Sequence, residues 1–98
     1  MYRGTTPTFN FTLPFEASQL TAAYITFSQR NTVVLEKTLD ECTYEGEILT
    51  VTLAEEETLK FKSDSVLEIQ IRCAIGETKM ASNIMTATVG RILKDGVI

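Results

Sequence analysis

The segment Val66-Leu67-Glu68-Ile69-Gln70-Ile71-Arg72-Cys73-Ala74-Ile75 alternates apolar and polar side chains along most of its length. Successive side chains of a strand point to opposite faces, so a period of two marks a half-buried β-strand. Leu67, Ile69, Ile71, Cys73 and Ile75 share the core face. Glu68, Gln70 and Arg72 share the other.

The same period recurs on both sides. Thr8 to Leu13 places Phe9, Phe11 and Leu13 inward, and Pro14, with no N–H to donate, ends the ladder. Ala23 to Ser28 places Ala23, Ile25 and Phe27 inward. Gln29-Arg30-Asn31-Thr32 reads as a turn leading into a hairpin partner over Thr32–Lys37. The inward face of that partner is ambiguous, because Val33, Val34 and Leu35 are consecutive. A short edge strand is expected near Cys42-Thr43-Tyr44, a turn near Glu45-Gly46, and a strand over Ile48–Leu53 with Leu49, Val51 and Leu53 inward. Gly76-Glu77 reads as a turn into a last long strand over Lys79–Val89, with Met85, Ala87 and Val89 inward. Gly90 allows a bend, and Ile92-Leu93 either extends that strand or docks separately. Asp95-Gly96 suggests a turn within the tail.

The period changes once. Thr52-Leu53-Ala54-Glu55 fits a capping box. The run 54–61 that follows predicts one helix of about two turns, with Leu59 as a plug at the rim and three glutamates at its positive end. About six or seven strands with one helical link predict an all-β fold. The expected form is an antiparallel two-sheet sandwich, with a small barrel as the structural alternative.

The chain has 98 residues, enough for a single domain over 1–98, with 1–6 read as a flexible start and 94–98 as a tail. Net charge is −4 and the acidity is local: residues 31–62 hold eight acids against three lysines. There is no basic stripe, so nucleic-acid binding is disfavoured. No apolar run approaches the ~18 residues of a membrane span. The opening Met1-Tyr2-Arg3-Gly4-Thr5-Thr6-Pro7 carries no signal-like stretch, so a bacterial cytoplasm, or a virion assembled there, is the expected location.

There is no histidine, which removes the Ser-His and Cys-His nucleophile arrangements. Cys42 and Cys73 are too few and too far apart for a zinc site and read as buried or half-buried thiols. No phosphate-cradling glycine loop is present. The acids Asp40, Glu41, Glu45, Glu47 and Glu55–Glu57 read as solvated loops and a favourably charged helix start. They lack the pattern of a calcium loop. Asn10-Phe11-Thr12 matches a glycosylation sequon inside a predicted strand and reads as chance. No catalytic residue, metal or cofactor is expected.

Several segments together carry a resemblance. They are Arg3-Gly4-Thr5-Thr6-Pro7 with the Phe9/Phe11/Leu13 strand, Ala23 to Gln29, Leu53 to Phe61, Leu67 to Arg72, and Val89 to Gly96. The chain resembles small phage or prophage proteins, and is similar to the immunoglobulin-like N-terminal domain of baseplate upper proteins of tailed phages. The strand–short helix–strand element at 48–75 resembles the corner between the fifth and sixth immunoglobulin-like strands. The resemblance implies an immunoglobulin-like sandwich and a non-enzymatic structural or assembly role, tail or baseplate associated. Because the sequence ends at Ile98, it implies an assembly or adaptor part rather than an adhesin. Partners would be other phage structural proteins or a second copy in a homo-oligomer. The tail residues Arg91, Lys94, Asp95, Val97 and Ile98, with Tyr24 on a polar strand face, are the candidate partner contacts. A carbohydrate- or surface-ligand-binding module around Tyr24 is the alternative.

Overall fold

The computed structural model describes residues 1–98. The strands are β1 (Thr8–Thr12), β2 (Ala22–Gln29), β3 (Thr32–Thr38), β4 (Thr43–Glu45), β5 (Ile48–Thr52), β6 (Val66–Ile75), β7 (Thr78–Ala81) and β8 (Met85–Thr88). One helical turn, α1 (Glu55–Thr58), lies between β5 and β6, and short 3-10 turns lie at Ala17–Gln19 and Leu39–Glu41.

These form an all-β sandwich of two antiparallel sheets. The smaller runs β1-β5-β4; the larger runs β3-β2-β6, with β7 and β8 sharing the far edge of β6. No ladder joins the two sheets, so the sandwich is open rather than a barrel. The order corresponds to strands B-E-D and C′-C-F-G of an immunoglobulin-type sandwich without its first strand.

The inward residues read from the alternation form the core. Ile25, Phe27, Leu49, Leu53 and Leu67 are completely buried, and Phe11, Leu13, Ala23, Val51, Ile69, Ile71 and Val89 are nearly so. Phe27 joins the layers. Its ring meets Phe9 of the small sheet edge-on at 5.7 Å and Phe61 at 6.1 Å, spacings at which aromatic pairs attract.

Four features depart from the sequence reading, each for a local reason. First, the Val33-Val34-Leu35 run is a β-bulge: Phe27 pairs with Leu35 and Ser28 with Val33, leaving Val34 unpaired. The extra residue lets Val34 and Leu35 both pack on the core while Val33 faces solvent. Second, the expected strand over Lys79–Val89 is broken at Ser82-Asn83-Ile84. Its halves are one residue out of register: Arg72 pairs with Ala81, but Ile69 with Met85. Ser82 fills the gap, its N–H donating to the Ile71 carbonyl at 2.8 Å and its Oγ accepting from the Ile71 N–H at 3.0 Å.

Third, the helix is a single turn capped two residues later than the expected box. The Ala54 N–H donates to the Glu57 carboxylate at 2.7 Å. The plug at the rim is Phe61 with Thr58, both buried, while Leu59 is only half-buried. Fourth, residues 1–6 are bonded rather than loose. The Met1 nitrogen donates to the Thr88 carbonyl at 2.9 Å, and Tyr2 bridges Gly90 in parallel. The Tyr2 ring lies so close to Gly90 that a Cβ there would sit 2.6 Å from it.

The Arg30-Asn31 turn behaves as expected. It is a two-residue hairpin loop with both residues at positive φ, 52° and 63°, the twist that adjoining strands favour.

Phe27 is the side chain on which both layers close. Phe27→Ala should cost about 3–5 kcal/mol, the range for emptying a buried aromatic site, measured as a shift in the urea midpoint with an unchanged slope.

Candidate functional site

One end of the sandwich gathers the chain's first residues, the β5–β6 corner and the tail. Arg3 organises it. Its Nε donates to the Phe61 carbonyl at 2.7 Å and its Nη2 to the Leu59 carbonyl at 2.9 Å. These carbonyls follow the helical turn and have no partner within it, so a guanidinium suits them. The remaining nitrogen pairs with Asp95 at 3.3 Å. Thr58 ties the same strap from beneath: its buried Oγ1 accepts from the Thr5 N–H at 3.1 Å and donates to the Thr5 carbonyl at 2.8 Å. Gln29 does similar work at the end of β2, its amide bonding both the N–H and the carbonyl of Lys62 at 2.8 and 2.9 Å.

The tail lies on the outside of this end. Ile92 reaches the Gly4 backbone, where φ is +68°. Beyond it, Leu93, Val97 and Ile98 expose 93, 53 and 92% of their surface. Arg91 is exposed, and Lys94 bonds the Asp95 carbonyl at 2.8 Å. The Ile98 N–H donates to Glu55 at 3.0 Å, so the tail folds back against α1. Asp95 and Ile98 are therefore tied to this end, and Arg91, Lys94 and Val97 are exposed beside them in sequence. Tyr24 does not join them. It sits five residues back along β2 from Gln29, about 17 Å at the strand rise.

Tyr24 stands instead on the outer face of the larger sheet, opposite Arg72. There it lines a shallow trough of about 650 Å³ with Val33, Glu36, Arg72, Cys73 and Lys79, over a floor of Ala22, Thr26 and Ala74.

A third feature was invisible in the sequence. Lys37 pairs with Ile25 and so points inward from an edge strand. Its Nζ meets Glu57 at 2.6 Å and Glu41 at 3.3 Å. Burial opposes the charge on Lys37, but the bonds from Glu57 and Glu41 outweigh it and hold its pKa above the usual lysine value. The Thr38 backbone and hydroxyl, then Lys37, hold Glu41 below the carboxylate range. Burial pushes Glu57 up, but the Ala54 N–H and Lys37 together prevail and lower it. Glu41 is exposed, as a solvated acid is, although it pairs with Lys37; Glu57 is half-buried and ties the β3 edge to the corner. The signal that would have found them is the odd inward lysine, and it was hidden by the bulge beside it. Cys42 and Cys73 are free and half-buried, and burial raises both thiols.

Comparison of the chain with protein families, with curated proteins and with solved structures gives no match.

Two outcomes are expected. Arg3→Met should lower stability by about 1–3 kcal/mol, because it strands carbonyls that a charged donor satisfied, read by urea unfolding. Glu41 and Glu57 are lowered in the folded state, so their contribution is present above pH 4.5 and is lost as pH falls through their folded values. Lys37→Met should flatten that acid limb when unfolding is followed between pH 3 and pH 7.

Proposed function

We propose that the chain is a non-enzymatic structural or assembly protein of a phage or prophage, associated with the tail or baseplate. The observation that carries this reading is the tail: Leu93, Val97 and Ile98 are held out of the core on a bonded, well-defined end. Apolar side chains so presented suit burial against another protein. The immunoglobulin-type strand order and the helical corner at 55–58 agree with the resemblance to baseplate upper proteins. In this reading Arg91, Lys94, Asp95, Val97 and Ile98 contact other phage structural proteins during assembly in the bacterial cytoplasm, and stay in that contact in the virion.

The second reading is a small carbohydrate- or surface-ligand-binding module. The trough beside Tyr24 favours it. Tyr24 is the lone aromatic there, however, and ring faces supply most of the contact with a sugar.

Co-expression with the proteins encoded beside this gene tests the choice. The full chain should co-purify with one of them, and deletion of Lys94–Ile98 should abolish the complex. The deletion removes no buried residue, only the exposed Arg3–Asp95 pair and the Ile98–Glu55 bond, so the thermal midpoint should move by a few degrees at most. A chain that binds none of these proteins but is retained on a carbohydrate matrix supports the second reading. Unfolding on deletion would make the tail part of the core and would sink the docking role.

A further inference from the structure

Four strand edges are open to solvent, and three carry devices that discourage pairing with another chain. The β3 edge is bulged at Val34 and carries Glu36 and the inward-turned Lys37. β4 is three residues long, with Glu41, Glu45 and Glu47 in or beside it. The β7/β8 edge is interrupted at Ser82-Asn83-Ile84. The β1 edge carries none of these. From Gly4 to Phe15 there is no charged residue, and β1 pairs with β5 without a register shift.

The ladder fixes which backbone groups are free. Leu13 N–H donates to the Glu47 carbonyl at 2.8 Å and Leu53 N–H to the Pro7 carbonyl at 3.0 Å. Bonded positions alternate along an antiparallel pair, so the odd-numbered residues of β1 face β5. The N–H and C=O groups of Thr8, Asn10 and Thr12 therefore point away from it, and no hydrogen bond reaches them. Pro14, lacking an N–H, closes this run of donors on one side.

We infer that this edge pairs with the same edge of a second copy, antiparallel, about a two-fold axis at Asn10. That register is self-complementary. It sets Asn10 opposite Asn10 and Thr8 opposite Thr12 of the second copy, making about six backbone hydrogen bonds. On the inner face it sets Phe9 opposite Phe11 of the second copy, at the closer, non-bonded positions where aromatic pairs stabilise most. Phe9 is only half-buried within one chain, so the pairing covers ring surface that the single sandwich leaves open. On the outer face, threonine meets threonine and no like charges oppose. The two small sheets become one continuous sheet, β4-β5-β1 and its symmetry mate. The inference deepens the assembly reading by naming a surface and an occupant, and it uses residues remote in sequence from the tail.

Light scattering coupled to size-exclusion chromatography, from micromolar to millimolar protein, tests it. The full chain should pass from monomer to dimer and stop there, since an isologous contact closes on itself. Asn10→Lys places two like charges face to face, and Asn10→Pro removes an outward N–H without touching the β5 ladder. Each should raise the dimer dissociation constant at least tenfold, with circular dichroism confirming that the variants fold. Asn10→Val, which loses the same side-chain bond to Thr50 but stays neutral, should keep the dimer. Val33→Lys, on the opposite edge of the molecule, should also keep it. A strict monomer at every concentration overturns the inference. So does a dimer that Asn10→Lys and Asn10→Pro leave intact. Neither result bears on the tail, whose deletion is read against other phage proteins.

Discussion

The contact between Phe27 and its two aromatic neighbours holds the architecture together. Phe27 belongs to the larger sheet, Phe9 to the smaller and Phe61 to the segment that crosses between them. A sandwich this small has one core and few large side chains to fill it. The rings that meet at its centre therefore fix the layer spacing and the place where the chain changes sheets. The corner follows from them. Phe61 turns inward, and the helical turn before it presents Thr58 to the first residues of the chain and Glu57 to Lys37.

A single turn of helix cannot satisfy its own ends, and the molecule uses distant residues to do so. Glu57 bonds the N–H of Ala54 at the start, and Arg3 bonds the carbonyls of Leu59 and Phe61 at the finish. The result is an end where residues from the beginning, middle and end of the chain interlock. The outer surface of that end is left to the apolar tail residues.

Edges decide how such a sandwich meets its neighbours. Lys37 shows what edge protection involves here: a cation turned inward, held by two carboxylates whose bonds outweigh its burial. The bulge at Val34 distorts the same β3 edge, and the break at Ser82–Ile84 interrupts the β7/β8 edge. Against these, the plain neutral edge of β1 stands out as the surface where sheet pairing meets least opposition.

Much of the fold was legible in the residues, because alternation reports burial directly. Leu67, Ile69 and Ile71 read as inward and are inward, as do Phe11, Ile25, Phe27, Leu49 and Val51. The Arg30-Asn31, Gly46 and Gly76 turns were legible for the same local reason, since turn chemistry depends on a few adjacent dihedral angles. The rest depended on partners far away in sequence. A bulge is a mismatch between two strands, so neither Val34 nor Ser82 reveals it alone. Lys37 looks like an ordinary edge lysine until the pairing with Ile25 turns it inward, and only then do Glu41 and Glu57 become its partners. The first six residues look loose because nothing near them in sequence binds them; Gly90, Thr58 and Phe61 do. By itself, then, the sequence determined which faces are buried and where the chain turns, since those are set by neighbours within a few residues. Only the tertiary structure decided the strand order, the bulge and the strand break, the inward Lys37 with its two carboxylates, and the interlocked end, because each is a contact between segments that meet only when the two sheets close.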